Sequence, residues 1–420
     1  MPDYRPRLVD SQLELELEAL GATLLIGPKW CGKTTTALQQ ARSVLYMQEP
    51  GQMQNNIRLA EIEPLRLLEG ETPRLLDEWQ VAPSLWDAVR HEVDRRQEPG
   101  QFILTGSAEI PLDKVMHPGT GRISRIRMST MTLFESGDST GEVRLGDLLE
   151  GAADTNFRSD LTPESYARIL VRGGWPRSIG MRDEVSARQV AAYCESLIER
   201  EIDTLDGRIR DEVRMRAVLR AYSRHIGTQA KISTMVKDLE GRDEGMHANT
   251  LSSYLATLRS LCVIDELEPW GPRLRSAAVL RKANTRHLFD PAVAAYFLGA
   301  TAGGLVYDLE TFGFLFESLA VRDVRAYASH LGAGIGHYRD SNDLEVDMVV
   351  HFRDGRWGAI EVKIGGSEIE KAAENLVKLA GLTDIERSQP PSFLAIITAT
   401  EHAYRREDGV YVIPLGLLGP

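Results

Sequence analysis

Short apolar runs separated by amphipathic stretches mark the first third of the chain. The runs are Ala22–Ile26, Val44–Tyr46, Leu75–Leu76, Phe102–Thr105 and Ile123–Met128. Short apolar runs alternating with amphipathic stretches are the pattern of an α/β sheet, which this part predicts. From about Asp160 to Leu298 the apolar period becomes helical, with strand-like breaks at Val263–Leu267 and near Ala278–Arg281. Beyond Thr301, a helix over Phe312–Tyr327 precedes strand-like runs at Val346–Phe352 and Trp357–Val362. A further helix follows, then a strand at Phe393–Thr398. Joints are expected in the Gly/Asp/Ala-rich stretch 141–160 and in the ATAGG run Ala300–Gly304, dividing the chain into 1–155, 156–300 and 301–420.

Composition narrows the class. The 420 residues are 43% hydrophobic and 26% charged, which suits several folded domains and excludes global disorder. No run approaches the roughly 20 apolar residues of a membrane span, and Met1–Asp10 does not read as a signal peptide. Three scattered cysteines (Cys31, Cys194, Cys262) make neither a disulfide framework nor a zinc site, so a cytoplasmic protein with no membrane partner is expected. The net charge is −12, yet Asp206–Asp290 holds 15 basic and 11 acidic residues, +4 against −16 elsewhere. DNA binding through this middle segment stays open.

The first chemical motif is Gly27-Pro-Lys-Trp-Cys-Gly32-Lys33-Thr34, a complete GxxxxGKT between a strand and the helical run Thr35–Leu45. Backbone N–H groups of such a loop and helix start wrap the phosphates of ATP, Lys33 neutralises β/γ oxygens, and Thr34 reaches Mg²⁺. Gly27, Gly32, Lys33, Thr34 and Thr35 are therefore the nucleotide-binding candidates. Arg74-Leu-Leu-Asp77-Glu78 ends a strand in two acids: Asp77 for Mg²⁺ and Glu78 for the attacking water. Phe102-Ile-Leu-Thr105-Gly-Ser107 ends another in hydroxyls, where Ser107 suits a sensor of the γ-phosphate.

The order of these motifs, followed by Gly121-Arg122 before a fifth strand, resembles the AAA+ ATPases of the AAA_14 group. The resemblance implies an AAA+ P-loop parallel sheet, a homo-oligomer (a hexameric ring by family default), and Arg122 reaching a neighbour's ATP. Arg177, after Gly173-Gly-Trp-Pro176 in the expected helical lid, reads either as a second sensor or as an ordinary exposed arginine.

Helical stretches Glu212–His225, Lys231–Glu240 and His247–Leu261, then strand-like runs flanking Pro269–Ser276, follow a winged helix-turn-helix order. On the third helix, Leu251, Leu255, Leu258 and Leu261 supply a buried face. Asn249, Ser253, Thr257 and Arg259 are left for a groove; Arg273, Arg275, Arg281 and Lys282 would carry the wing to DNA phosphates. A protein-packing helix triplet is the competing reading. With Asp290-Pro-Ala-Val-Ala-Ala, this half resembles the DUF4143 region that accompanies AAA_14 domains.

The last motif is Glu345-Val-Asp347 followed by Ala359-Ile-Glu361-Val-Lys363, with Glu317 on the preceding helix. Glu361 and Lys363, two apart on a strand, share a face. Glu317…Asp347…Glu361-x-Lys363 resembles the PD-(D/E)xK nucleases, with a spacing like archaeal-type Holliday-junction resolvases, although Leu344-Glu345-Val-Asp347 replaces the usual Pro-Asp. The resemblance implies a restriction-endonuclease-like α/β domain in which the acids hold Mg²⁺ and Lys363 assists attack on a phosphodiester. Tyr338 and Arg339, just before the strand, read either as further DNA contacts or as structural residues.

The combined expectation is a DNA-dependent ATPase fused to a Mg²⁺-dependent endonuclease acting on branched DNA, four-way junctions foremost, in recombination or repair. The alternative is a regulatory or signalling ATPase that binds a protein partner and keeps an inert nuclease fold.

Overall fold

The computed structural model describes residues 4–108, 119–201, 211–240, 246–272, 282–382 and 389–420. They divide into two compact units. The first runs to Thr130 and includes Thr257–Val263; the second takes up the rest.

In the first unit five parallel strands form one sheet: β1 (Ala22–Ile26), β2 (Ser43–Tyr46), β3 (Arg74–Asp77), β4 (Phe102–Gly106) and β5 (Ile123–Arg127). Their spatial order is β2-β3-β4-β1-β5. Alternate residues feed two cores, which is why the central strands β1 and β4 read as continuous apolar runs, while the edge strands β2 and β5 are only partly buried. Leu25, Leu75, Ile103 and Ile126 meet Leu13 and Leu17 of the helix Val9–Ala19. Leu24, Ile26, Leu76, Phe102 and Leu104 meet Trp79, Trp86 and Val89 on the other face. The chain leaves β1 for the far edge strand β2, then returns across β1 from β4 to β5. That reversal opens a crevice at the carboxyl ends of the strands, where such sheets bind ligands.

The helix expected over Thr35–Leu45 spans only Lys33–Ala37. Three successive β-branched threonines, Thr34 to Thr36, weaken it, and the N–H groups of Gln39 and Gln40 close tight turns on Thr36 and Ala37. The chain must be extended again by Ser43, which pairs with Arg74.

The second unit holds a mixed sheet of β7 (Gly334–Arg339), β8 (Glu345–His351), β9 (Trp357–Lys363), β10 (Phe393–Thr398), β11 (Tyr404–Arg405) and β12 (Tyr411–Pro414). Its order is β11-β12-β10-β9-β8-β7. β7–β8–β9 is an antiparallel meander, and β9, β10 and β12 run parallel. The helix Leu309–His330 packs against β7, β8 and β9, and Ile369–Gly381 covers β8, β9 and β10. A small parallel pair, β6 (Val143–Arg144) with β13 (Leu418–Gly419), ties distant parts together, and Ser139 Oγ adds a 2.7 Å bond to the Leu418 carbonyl.

A buried ionic hub sits among the helices of this unit. Arg322 bonds Asp290 (3.2 Å) and Asp323 (2.7 Å), and both acids are fully buried. Asp323 also accepts the Leu133 N–H at 2.8 Å, and Asp290 accepts those of Gly174 and Ala292. Burial raises the Asp323 carboxyl to about 6 against the opposing pull of Arg322.

The helices Glu212–Arg224, Ile232–Glu240 and Ala248–Ser260 follow the expected order. The expected wing differs. Val263–Leu267 finds its antiparallel partner at Thr285–Leu288, through the bridges Ile264↔Leu288 and Leu267↔Thr285. Residues 273–281, which hold the expected second strand, lie outside the described residues. Cys31, Cys194 and Cys262 are all buried, and none of them is disulfide-bonded. Among the described residues no helix is long and apolar enough to cross a membrane.

Candidate functional site

The GxxxxGKT loop lies at the carboxyl end of β1. Gly32 has φ +108°, a backbone that favours glycine. Gly27 is required for another reason: a Cβ there would lie 2.1 Å from the Met128 carbonyl oxygen, so the loop rests directly on the chain leaving β5. Lys33 is buried and donates to the carbonyls of Gly27 and Pro28, both at 2.9 Å. Its ammonium is thereby held in the loop that would wrap phosphate. Because the following helix is one short turn, its dipole adds little; the loop N–H groups and Lys33 carry the anion-binding character.

The parallel register brings the second motif alongside. Asp77, last in β3, accepts 2.7 Å hydrogen bonds from Thr34 and from Thr105 of β4 on the same oxygen, Oδ1. Thr34 Oγ and the Asp77 carboxylate are hard oxygen donors, which fits Mg²⁺. Glu78 follows in a left-handed conformation (φ 55°), its N–H bonded to Thr105 Oγ1. Its carboxylate accepts from Ser107 Oγ (3.1 Å) and from Gln80 Nε2. Gln80 also reaches Ser107 at 3.3 Å, closing a triangle around the carboxylate. Sequence reasoning missed Gln80; its signal is the i+2 position after the acid pair in Asp77-Glu-Trp-Gln80. Thr35, next on the short helix, is exposed.

Arg122 lies elsewhere. It immediately precedes β5, whose first residue Ile123 pairs with Ala22 at the start of β1, the end of the sheet remote from the loop. It is half-exposed and paired with Asp94 at 2.8 Å.

In the second unit the four polar residues singled out near the C-terminus come together. Lys363 Nζ lies 2.8 Å from Glu361 Oε2 and 3.3 Å from Asp347 Oδ2; Asp347 Oδ2 also accepts the Val362 N–H at 2.8 Å. Glu317 faces them from its helix. Burial and the charge on Asp347 push the Glu317 carboxyl well above the usual range. The same two causes raise Glu361 to about 8. Burial pulls Lys363 down, but Asp347 and Glu361 outweigh it and hold the ammonium charged. The three acids are hard oxygen donors of the kind Mg²⁺ takes, yet a lysine already neutralises two of them. Among the described residues, no group of three or more His, Cys, Asp or Glu is disposed to hold a metal ion as it stands.

Three neighbours of this cluster were not legible in the sequence. The Nε2 of fully buried His287 points toward Glu317 Oε1, 4.0 Å away, with no hydrogen-bond partner. Its Nδ1 contacts Ser318 Oγ at 3.1 Å, and burial lowers its pKa to about 3, so the ring is neutral. Gly227 (φ +72°) lies so close that a Cβ would come 3.4 Å from Glu317 Oε2. Gln229 Nε2 bonds Glu345 at 3.0 Å. The turn between the first two helices of the triplet therefore abuts the acid–lysine cluster.

The expected DNA-contacting residues are dispersed. Asn249 and Arg259 are exposed and Ser253 half-buried, but Thr257 is buried, and Ser252 and Ala256 occupy the outward face instead. Lys282 donates to the Asp340 carbonyl at 3.0 Å. Arg273, Arg275 and Arg281 lie outside the described residues. Tyr338 packs into the sheet core, and Arg339 pairs with Asp343 and Glu345. Arg177 sits in a 3₁₀ turn, Pro176–Ser178.

Three family models match in succession: an AAA domain (AAA_14) over residues 21–136, a domain of unknown function (DUF8612) over 163–303, and another (DUF4143) over 312–418. The DUF4143 match thus falls on the C-terminal sheet, and the helical middle with Asp290 belongs to the DUF8612 match. Two curated relatives, the uncharacterized proteins Rv2008c of Mycobacterium tuberculosis and Mb2031c of Mycobacterium bovis, are 23% identical over 410 residues. The match covers 96% of this chain and 82% of theirs. Among solved structures, the Walker-type ATPase PABY2304 of Pyrococcus abyssi matches with TM-score 0.44 and 18% identity, covering 70% of this chain and 99% of that one. A signal-transduction ATPase with numerous domains from Pyrococcus horikoshii, PH0952, has TM-score 0.23 and 12% identity, covering 78% and 50%. The AAA domain match, together with the assembled loop, lysine and acid pair, supports an ATPase of the AAA type.

Proposed function

We propose that this protein hydrolyses ATP at the loop Gly27–Thr34 and uses the cycle to act on branched DNA. The observation that carries the first half is the shared bond of Thr34 and Thr105 to Asp77 Oδ1 at the mouth of the loop. Thr34 and Asp77 would hold the Mg²⁺ that accompanies ATP; when bound, it offsets charge on the β- and γ-phosphates. Lys33 supplies the fixed positive charge against the same oxygens. Glu78, oriented by Gln80 and Ser107, accepts a proton from the attacking water. Arg122, at the opposite end of β5 from the chain's own loop, supports a role toward the nucleotide of a neighbouring copy in a homo-oligomeric ring.

The acid–lysine cluster is the site proposed for Mg²⁺-dependent phosphodiester cleavage, with four-way junctions as the substrate. Glu317, Asp347 and Glu361 would hold the ion, which when bound lowers the pKa of a water. Lys363 stabilises negative charge on the phosphate. A specific observation favours a second reading: Lys363 is bonded to two of the three acids, and the Gly227–Gln229 turn abuts the cluster. On that reading the second unit is inert as a nuclease and binds a protein partner under control of the ATPase.

The deciding experiment is a cleavage assay with Mg²⁺ on labelled four-way junction, flap, linear duplex and single-stranded DNA of matched sequence. Wild type is compared with Lys33→Ala and Asp347→Asn. Nicking of the junction that disappears in Asp347→Asn supports the nuclease; no cleavage of any substrate, with ATP hydrolysis intact, supports the regulatory reading.

A further inference from the structure

We propose that Arg7, outside the GxxxxGKT motif, is a positioning residue of the phosphate loop. The inference rests on the ATP reading above and adds a part that the motif does not contain. Arg7 is only 7% exposed. Its Nη1 donates to the Cys31 carbonyl at 2.7 Å and its Nη2 to the Ser129 carbonyl at 2.9 Å. One guanidinium thus ties the phosphate loop to the segment leaving β5, the same segment on which Gly27 rests.

The bond to Cys31 matters because of peptide geometry. Carbonyl and N–H of one trans peptide point in opposite directions. Holding the Cys31 oxygen on Arg7 therefore aims the N–H of Gly32 away from Arg7. Gly32 is the residue whose left-handed backbone makes that turn. Arg7 also places a permanent positive charge behind a loop built to take a polyanion.

Arg7 is itself held by a hook at the start of the chain. The Asp10 carboxylate accepts the Arg7 N–H at 2.8 Å and the Tyr4 hydroxyl at 2.6 Å. Tyr4 in turn lies 3.1 Å from Thr36 Oγ1, two residues past the end of the motif. The hook therefore grips the phosphate loop before Gly32 and again after Thr34, and it is built from residues that need not touch nucleotide.

The test is calorimetric titration of ATP and ADP with Mg²⁺, alongside steady-state hydrolysis, for wild type, Arg7→Met, Arg7→Lys and Lys33→Ala. Losing a charge-assisted hydrogen bond in Arg7→Met is expected to weaken both nucleotides by about tenfold to a hundredfold, with kcat within about threefold. Arg7→Lys, which keeps the charge but not the fork, is expected to fall between, and it preserves the test if Arg7→Met does not fold. Wild-type affinity in Arg7→Met or Arg7→Lys, with binding lost in Lys33→Ala, overturns the role of Arg7 alone. A loss of kcat with affinity unchanged also overturns it. ATP binding that survives Lys33→Ala overturns the nucleotide reading itself.

Discussion

Thr34 and Asp77, 43 residues apart in sequence, share a 2.7 Å hydrogen bond across the carboxyl ends of β1 and β3. Because Thr105 donates to the same carboxylate oxygen, Asp77 has its orientation set from two neighbouring elements before any ligand arrives. Preorganisation of this kind leaves little to rearrange when charge develops during reaction.

Substitutions in this cluster should separate binding from chemistry. Lys33→Ala is expected to weaken ATP binding by more than about a hundredfold, as loss of a charged contact to phosphate predicts. Glu78→Gln keeps the shape of the side chain and removes the base. It should bind ATP normally and lose about 10²–10⁴-fold in kcat. Equilibrium binding and phosphate release measure the two effects independently.

Gln80 makes a finer prediction. Its amide and Ser107 hold the Glu78 carboxylate. Gln80→Ala should lower kcat by about tenfold, the cost of one orienting hydrogen bond, and leave the KM for ATP unchanged. An unchanged kcat would remove Gln80 from the reaction.

The ionic hub of the second unit should be intolerant of partial removal. Arg322→Met leaves Asp290 and Asp323 buried without their cation and should destabilise that unit by about 3–5 kcal/mol. Urea unfolding followed by tryptophan fluorescence reads this directly.

Acid stability carries a signature of two buried imidazoles. Burial lowers His287 to about 3 and His337 to about 4, so both are neutral in the folded protein. Unfolded, each titrates near 6.5. Between about 6.5 and 4 the unfolded chain binds more protons, so the stability these groups contribute is lost as pH falls through that window. Glu317 and Glu361, whose raised carboxyls retain protons in the folded state, act in the opposite sense. The comparison is therefore differential: wild type should lose stability relative to a His287→Asn/His337→Asn double variant as pH drops from 7 to 4.5. Equal slopes for the two proteins would contradict the assignment.

The parts legible in the sequence were those whose meaning is local. A strand buried on both faces, such as β1 or β4, reads as an apolar run wherever its partners come from, and all five strands of the first sheet lie on or within a residue or two of the apolar runs read along the chain. GxxxxGKT and Asp77-Glu78 carry their chemistry in adjacent residues. Glu361-x-Lys363 share a face through the two-residue period of a strand. What escaped was proximity across the fold. Arg7 acquires a role only because Cys31 and Ser129 meet beneath it, and His287 and Gly227 only because their segments pack against Glu317. The strand Gly334–Arg339 was missed because glycines and polar residues on an edge strand, interrupted by a bulge after Gly336, leave no alternation to read. On the third helix of the triplet, Thr257 shares a face with buried Tyr254 three residues before it and Leu261 four after it, so hydrophilicity alone put it on the wrong face.

The pairing of Leu418 with Val143, and the bond from Ser139 to the Leu418 carbonyl, bear on the order in which the protein is made. The five parallel strands all fall between Ala22 and Arg127, so that sheet can assemble before the C-terminal strands of the second unit are synthesised. The second unit has no such option. A segment near residue 140 must wait, unpaired, until residues 416–419 appear, and its neighbours stay exposed to chaperones and proteases for that whole interval.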